Sequence, residues 1–251
     1  MGSMSFADHY SEGAEAYAAS RPTYPPDLIR HLASLAPGRE LAWDCATGSG
    51  QAARLLAAHF RRVIATDASL RQISHAPADP RVAYRVGRED DSGEAAGSVD
   101  LVTVAQALHW LDIPRFYREV DRVLKPGGVF AAWCYGRMSI APDVDPVLEW
   151  FYSERVGPFW PPERRLVESG YREIELPYAE IPSGPWRMTA RLSRQQVLGY
   201  VGTWSAVARA HSAEGRDPLP ELEAALAPVW PSPAEVLEVA WPLAVRVGRK
   251  P

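Results

Sequence analysis

Two glycines separated by one residue, Gly48 and Gly50, stand between a short apolar segment and a segment with helical composition. Glycine allows the backbone to turn sharply and allows a ligand to approach the main chain closely. The helix predicted from Gln51 onward begins with unpaired backbone N–H groups, to which a ligand can bind. The segment therefore predicts a ligand-binding loop, although a plain turn between a strand and a helix fits the same residues.

Carboxylates stand at the ends of the predicted strands around this loop. Asp44 lies at the end of the first strand, where a buried carboxylate needs donors and can brace the loop or reach a ligand's ammonium through water. Asp67 ends the second strand and can accept from both hydroxyls of a ribose, or cap the following helix. Glu89 and Asp90 follow the third strand, where they either bind an adenine amine or form a solvated turn. The pattern predicts a cofactor that contains a nucleoside.

A dinucleotide is one cofactor that fits the loop. The residues from Gly48 to Ala53 match the G-x-G-x-x-A form of the dinucleotide fingerprint, which favours a nicotinamide oxidoreductase. Against it, dinucleotide sites do not require Asp44, and about 40 residues precede the first predicted strand. Residues 106–110 and 125–128, which come after the fourth predicted strand, also have no role in hydride transfer. A protein that binds a cofactor without catalysis remains a further alternative.

Strands and helices that can position these residues alternate along the first half of the chain. Five strands are predicted at 41–45, 62–66, 82–86, 99–105 and 129–135, with helices at 27–36, 51–60, 70–76 and 113–124. This alternation predicts βαβ units and a parallel sheet, and hence an α/β fold. We expect one domain over 1–251, with a cofactor-binding core at 5–138. Two further strands at 171–176 and 236–248 would close the sheet, and helical insertions at 139–165 and 183–235 would form a cap.

The composition restricts the classes of partner. The net charge is −4 and the 27 basic residues are scattered, which predicts no nucleic-acid partner. No apolar run reaches the roughly 18 residues of a membrane span, and the N-terminal residues lack the hydrophobic region of a signal peptide, which predicts a cytoplasmic protein without a membrane partner. Cys45 and Cys134 are expected to be buried thiols, and no metal site is predicted. Both a monomer and a homodimer remain open.

Taken together, four segments resemble the class I methyltransferases, and more narrowly their small-molecule group that includes methyltransferase type 11 and trans-aconitate methyltransferase-like proteins. They are 44–50, Asp67, 98–110 and 123–128; segments 21–25, 203–205 and 241–249 extend the resemblance towards both ends. The resemblance implies a Rossmann-like, doubly wound sheet of seven mostly parallel strands, with an antiparallel last strand and a helical cap. It also implies S-adenosylmethionine as cofactor, S-adenosylhomocysteine as product and a small-molecule substrate.

The resemblance also implies which residues hold the cofactor. The loop would wrap the methionine part, Asp67 would hold the ribose, and main-chain groups around Ala105 would accept from the ammonium. The implied set is Arg21, Asp44, Ala46, Thr47, Gly48, Ser49, Gly50, Asp67, Ala68, Glu89, Asp90, Ala105 and Gln106. The sequence departs from the family at Ala46, where glycine is more usual, and at Glu89, where alanine is more frequent.

Methyl transfer from a sulfonium is an in-line displacement, in which the protein mainly aligns the reactants and excludes water. Only an acceptor that must lose a proton needs a general base. His109 is the best candidate, because it titrates near neutrality and follows the fourth strand. The alternatives are that His109 orients the substrate, or that residues 106–110 are only a strand end with a packed Trp110.

The acceptor site is expected to combine aromatic walls with a cation. Aromatic faces can favour the sulfonium charge, and a guanidinium can bind a carboxylate through two hydrogen bonds. Arg137 would hold an acidic substrate, and Arg21 either that substrate or the carboxylate of the cofactor. The candidate substrate-binding residues are Tyr17, Tyr24, His109, Trp110, Tyr135 and Arg137. We expect O-methylation of a small carboxylate or hydroxyl compound, with C- and N-methylation still open.

Overall fold

A computed structural model describes residues 23–251, which divide into two compact units. The larger unit contains residues 23–138, 162–189 and 240–251, and the smaller contains 139–161 and 190–239. The smaller unit falls close to the predicted insertions, and its role as a cap stays a prediction. Tyr17 and Arg21 lie outside the described residues.

Within residues 23–251 the sheet has eight strands in the order β3-β2-β1-β4-β5-β8-β6, and β7 pairs with β8. Strands β1 to β5 are parallel, and β8 runs antiparallel to β5 and β6. The strands are β1 Leu41–Cys45, β2 Arg62–Asp67, β3 Val82–Val86, β4 Val99–Ala105, β5 Leu124–Tyr135, β6 Glu180–Ile181, β7 Trp186–Ser193 and β8 Val236–Arg249. This confirms the predicted fold class, a mostly parallel Rossmann-like sheet with an antiparallel C-terminal strand. The number of strands differs, because the sheet of the described residues has eight and the resemblance implies seven.

Short helices connect these strands. The larger unit contains α1 Pro26–Leu35, α2 Gln51–Leu56, α3 Leu70–Ser74, α4 Ile113–Val123 and α6 Arg164–Glu168. The smaller unit contains α5 Asp145–Trp150, α7 Arg194–Gly202, α8 Ser205–Glu214 and α9 Leu219–Leu226. Ser69 caps α3 as predicted, since its Oγ accepts from Gln72 N at 3.3 Å. Among the helices of residues 23–251, none has the length and apolar character needed to cross a membrane.

The core of the larger unit lies between the sheet and α4. Every residue of β1 is buried, as expected for a central parallel strand that is covered on both faces. The ring of Phe116 on α4 packs edge-on against Trp43 of β1 and Phe130 of β5, at centroid distances of 5.9 and 5.8 Å. Cys45 and Cys134 are buried free thiols, as predicted. The central strands are therefore held rigidly, and their ends can serve as fixed points for a site.

The smaller unit has its own aromatic core. The ring of Trp204 packs against Tyr152, Trp160 and Tyr200, at centroid distances of 5.5, 5.7 and 6.1 Å. The indole of Trp160 also donates to the Tyr152 carbonyl at 3.1 Å. These contacts join segments 139–161 and 190–239, and they explain the unusual density of tryptophan there.

The predicted strand at 171–176 is wrong. Gly170 and Tyr171 both have φ of +61°, and Tyr171 N donates to Leu166 O at 2.8 Å, so the chain turns back after α6 instead of extending. Two successive residues in the left-handed region cannot continue into a strand. The sheet is instead extended by β6 and β7, whose alternating pattern is weak.

Asp100 fixes the amino edge of the sheet. Its buried carboxylate accepts from Glu40 N and Leu41 N, each at 3.0 Å, and from Lys125 Nζ at 2.6 Å. Lys125 begins the Lys-Pro-Gly-Gly segment, which belongs to β5 instead of preceding it. This segment therefore has a structural role at the edge opposite the carboxyl ends of the parallel strands.

We expect Asp100→Ala to lower the free energy of unfolding by about 2–4 kcal/mol, because one buried and one partly buried N–H group and one ammonium lose their acceptor. Urea denaturation followed by circular dichroism measures the change. Glu40→Ala, which removes an exposed carboxylate nearby, is the control and should change stability by less than about 0.5 kcal/mol. Equal effects of the two substitutions would contradict this role of Asp100.

Candidate functional site

The site lies at the carboxyl ends of β1, β2, β4 and β5. Strand order reverses between β1 and β4, which are neighbours in the sheet although β2 and β3 intervene in the chain. Such a switch point leaves a crevice in which α/β proteins bind ligands. Asp44 of β1 and Thr103 of β4 are direct partners in register at this point.

Asp44 is fully buried and bridges the two strands to the loop. Its Oδ2 accepts from Thr47 Oγ1 at 2.5 Å, and its Oδ1 accepts from Thr103 Oγ1 at 2.7 Å. Burial raises the pKa of Asp44 to about 6, although the two threonine hydroxyls oppose the shift. Asp44 is therefore negatively charged at neutral pH and becomes neutral in mild acid.

Asp67 holds the loop from the neighbouring strand. Its Oδ2 accepts from Gly48 N at 2.8 Å and its Oδ1 accepts from Ser69 N at 2.9 Å. Two further loop amides are also used within the protein: Thr47 N donates to Thr66 O at 2.9 Å, and Gly50 N donates to Thr47 O at 3.0 Å. The amides of residues 47, 48 and 50 thus bind protein oxygens.

This arrangement is unfavourable for a dinucleotide. A pyrophosphate binds to free loop amides and to a helix N-terminus, and two nearby carboxylates repel it. Here three amides are occupied, and Asp44 and Asp67 place negative charge on either side of the loop. The same charges are favourable for a ligand that carries a cation.

Three loop residues adopt the left-handed region, at φ of +53° for Ala46, +58° for Gly48 and +82° for Gly50. A Cβ at Gly50 would lie 2.3 Å from Tyr84 Oη, which leaves no room for a larger residue. Ala46 adopts this conformation without being glycine, which costs about 1–2 kcal/mol. The departure from the family noted at this position is therefore a source of strain.

Gln106 joins the ends of β4 and β5. It has φ of +58°, its Nε2 donates to Tyr135 O at 3.0 Å, and its Oε1 accepts from Tyr135 N at 2.7 Å. The ring of Tyr24 lies 6.4 Å from that of Tyr135 and 5.4 Å from that of Trp133, measured between centroids. The structure thus brings Gln106, Tyr135 and Tyr24 together.

His109 lies in the 3₁₀ turn Leu108–Trp110 that follows β4. Its Nδ1 is 2.9 Å from Tyr171 Oη, and its ring centroid is 4.6 Å from that of Trp110. Burial, and to a smaller extent the positive charge of Arg164, lowers the pKa of His109 to about 3. The imidazole is therefore neutral at physiological pH.

Other predicted residues lie apart from this group or have protein partners. Arg137 follows β5 with an exposed side chain, and Ala68 is exposed after β2. Asp90 forms ion pairs with Arg88 and Arg115 at 3.4 and 3.7 Å, and Glu89 Oε1 accepts from Asp112 N at 3.5 Å. These contacts favour the acidic-turn interpretation of residues 89 and 90, and their adenine contact stays a prediction.

Sequence reasoning missed several residues of the site. Thr103 and Tyr171 contact Asp44 and His109 only because the fold brings together positions about 60 residues apart in the chain. Leu70 and Val86 are the most exposed large apolar side chains among the described residues, at 68% and 55%. Val86 is the direct strand partner of Asp67. The available signal was an apolar side chain at the end of β3 and another at the start of α3.

Comparison with known proteins agrees with this geometry. Residues 43–132 match the family model described as a methyltransferase domain. A Dictyostelium discoideum protein described as a candidate methyltransferase is 32% identical over 252 residues, covering 98% of this chain and 96% of the relative. A Saccharomyces cerevisiae protein to which S-adenosylmethionine-dependent methyltransferase activity is ascribed is 30% identical over 128 residues, 47% of this chain and 44% of that protein.

A solved structure is also similar to this chain over most of its length. The structure described as a candidate type II methyltransferase from Anaeromyxobacter dehalogenans superposes with a TM-score of 0.87 at 45% identity, covering 91% of this chain and 97% of that one. The chain therefore belongs to the class I S-adenosylmethionine-dependent methyltransferases, and S-adenosylmethionine is its cofactor. The narrower resemblance to the trans-aconitate methyltransferase group stays a prediction.

We expect Ala46→Gly to raise the free energy of unfolding by up to about 1.5 kcal/mol. Removal of the left-handed strain gains about 1–2 kcal/mol, and the added freedom of the unfolded chain takes back about 0.5–1 kcal/mol. Urea denaturation measures the change, and Ala57→Gly, at a position with ordinary φ of −59° and a buried side chain, should destabilise. A loss of stability in Ala46→Gly would contradict the strain at this position.

Proposed function

We propose that this methyltransferase acts on a small molecule and transfers the methyl group to a carboxylate or hydroxyl oxygen. The observation that carries the cofactor side of this proposal is the pair of carboxylates, Asp44 and Asp67, that hold the glycine loop from two strand ends. The acceptor side rests on the aromatic and polar side chains at the ends of β4 and β5.

Each part of the cofactor has a matching group in the proposal. Asp67 binds the ribose hydroxyls with the lone pairs that Gly48 N and Ser69 N leave available, because a carboxylate accepts about four hydrogen bonds. Asp44 attracts the ammonium by charge, and the main chain of Ala105 and Gln106 accepts from it. Residues 46–50 would wrap the methionine part of the cofactor.

The adenine would lie between Leu70 and Val86. Both side chains are largely exposed although they are apolar. Val86 ends β3 in register with Asp67, and Leu70 begins α3 three residues after Asp67. An exposed apolar surface beside a site is typical of ligand binding. Burial of the two aliphatic faces against a flat base would stabilise the complex by the hydrophobic effect.

When bound, S-adenosylmethionine supplies a methyl group on a positively charged sulfur that leaves readily. The chain then has to exclude water and align the acceptor oxygen with that methyl group. Tyr24, Tyr135 and Trp110 supply aromatic surface for this purpose, and Tyr24 and Tyr135 are themselves buried. Arg137 is exposed and would attract an acidic acceptor. His109 would either orient the acceptor or remove its proton.

Asp44→Asn tests the carboxylate pair. We expect affinity for S-adenosylmethionine to fall at least about tenfold at pH 7.5, because a charge opposite the ammonium is lost. Because the pKa of Asp44 is raised to about 6, wild-type affinity should increase as the pH rises from 5 to 7, and this dependence should be weaker in Asp44→Asn. Isothermal titration calorimetry measures both.

Asp143→Asn is the matched control, since it removes the same charge from an exposed side chain in the smaller unit. It should leave the affinity and its pH dependence unchanged. Asp44→Asn should remain folded, because asparagine keeps the shape and removes a buried charge. An affinity that is unchanged in folded Asp44→Asn would contradict the proposed role of Asp44.

The acceptor is tested with radiolabelled S-adenosylmethionine and a panel of citrate, trans-aconitate, benzoate, 4-hydroxybenzoate and catechol. We expect methyl transfer to at least one carboxylate or hydroxyl compound. For an acidic acceptor, Arg137→Gln should raise KM about tenfold and change kcat little, because uniform binding is lost. An unchanged KM would remove Arg137 from the acceptor site, and transfer only to amines added to the panel would contradict O-methylation.

A further inference from the structure

Tyr171 belongs to the site through its contact with His109. The tyrosine ring is fully buried, and its Oη lies 2.9 Å from His109 Nδ1. The two rings are tilted by 34° at a centroid distance of 5.9 Å. The hydroxyl therefore reaches the imidazole edge instead of stacking on its face, and it can control the hydrogen-bonding state of the imidazole.

The hydrogen bonding of Tyr171 Oη determines which atom donates. Among the described residues, the hydrogen-bond contact of this oxygen is the one with His109 Nδ1. A phenolic hydroxyl has one hydrogen to donate, and in this fully buried position that hydrogen needs an acceptor. If Oη instead accepted from Nδ1, the hydrogen would have no acceptor among the described residues, so it is directed to His109 Nδ1. Because Nδ1 then accepts, a neutral imidazole must carry its hydrogen on Nε2.

The surroundings keep this imidazole neutral. His109 is enclosed near Tyr171, whose own pKa is raised by burial, and near the guanidinium of Arg164. Cys134, another titratable group near Tyr171, has a pKa that burial raises to about 12, and it is uncharged. Protonation of His109 would place a second positive charge near Arg164. A group so reluctant to accept a proton is a poor general base and a good hydrogen-bond donor.

The strained backbone conformation of Tyr171 indicates a functional role for its side chain. Its φ of +61° costs about 1–2 kcal/mol for a residue other than glycine. Arg246 Nη1 donates to Tyr171 O at 2.5 Å, and Glu180 pairs with the same guanidinium at 2.9 Å, so the strained turn is held in place. Strain that the surroundings support in this way is typical of functional positions.

We propose that Tyr171 is a positioning residue that holds His109 as the Nε2–H tautomer, and that His109 acts by donating a hydrogen bond to the acceptor. The second part rests on the proposed function, whereas the tautomer does not. A carboxylate acceptor has no proton to lose: its oxygen forms the new bond to the methyl carbon as the carbon–sulfur bond breaks. The sulfur keeps the electron pair, and S-adenosylhomocysteine leaves.

The tautomer is measured by ¹⁵N nuclear magnetic resonance of the histidine rings in the free protein, with His109→Gln to assign the signals among the six histidines. We expect a protonated Nε2 and an unprotonated Nδ1 from pH 5 to 8. A protonated Nδ1, or an imidazolium at pH 7, would overturn the proposal. This measurement requires neither cofactor nor acceptor, so its outcome is independent of the proposed function.

Tyr171→Phe removes only the hydroxyl, and we expect both tautomers of His109 to be populated in it. Tyr117→Phe is the matched control, because that hydroxyl is also buried but has no hydrogen-bond partner among the described residues; its His109 signals should not change. A single Nε2–H tautomer in Tyr171→Phe would overturn the positioning role. Both variants should bind S-adenosylhomocysteine like the wild type, which separates this test from cofactor binding.

The donor role is tested with the carboxylate of the panel that turns over fastest. Glutamine at 109 keeps an N–H donor but cannot act as a base, so His109→Gln should retain kcat within about tenfold, and His109→Ala should lose at least about a hundredfold. If His109→Gln is as inactive as His109→Ala, the donor role is overturned. The tautomer result then still stands by itself.

Discussion

The rest of the site depends on two carboxylates that hold one glycine loop. Asp44 binds the loop through Thr47 and the neighbouring strand through Thr103, and Asp67 binds Gly48 N from the other side. These hydrogen bonds fix the loop before any ligand arrives. Asp67 and two backbone carbonyls also occupy the amides of residues 47, 48 and 50, which an anionic ligand would need. The loop therefore presents negative charge where a dinucleotide loop presents donors. The ionisation of Asp44 is costly in its buried position, which is the condition under which its charge can act strongly on a bound cation.

Backbone strain is concentrated at the same edge of the sheet. Among the described residues, Ala46, Gln106 and Tyr171 are the residues other than glycine with positive φ. Each is either in the loop, at the end of β4 or in contact with His109. Hydrogen bonds hold Gln106 and Tyr171 in place, and the rigid central strands make this possible. At the opposite edge, Asp100 and Lys125 hold the starts of the strands, so strain can persist at one end of a sheet that is fixed at the other.

The larger part of the fold could be predicted from the sequence, because it depends on local patterns. Apolar runs of strand length, helical spacing in 113–124 and glycines after 41–45 each carry their signal within a few residues, and they predicted the parallel sheet, the loop and the acids at the strand ends. The prediction of a strand at 171–176 was wrong because apolar spacing does not reveal that Gly170 and Tyr171 adopt the left-handed conformation and turn the chain there.

The contacts within the site were less accessible to sequence reasoning. Thr103 and Tyr171 contact Asp44 and His109 only across the folded sheet, so the spacing of residues gave no signal for either. His109 was expected to titrate near neutrality, which is true of an exposed imidazole. Its enclosure beside Arg164 is a property of the tertiary structure, and it changes the favoured role from base to donor.

Calorimetric titration of the purified wild-type protein with S-adenosylhomocysteine and with NAD, in one buffer at pH 7.5, tests the central claim most directly. The two ligands share an adenosine, so they differ in the part that meets the loop. The carboxylate-braced loop predicts saturable binding of S-adenosylhomocysteine, which carries an ammonium, and no measurable binding of NAD, which carries a pyrophosphate. Comparable binding of NAD would contradict the account.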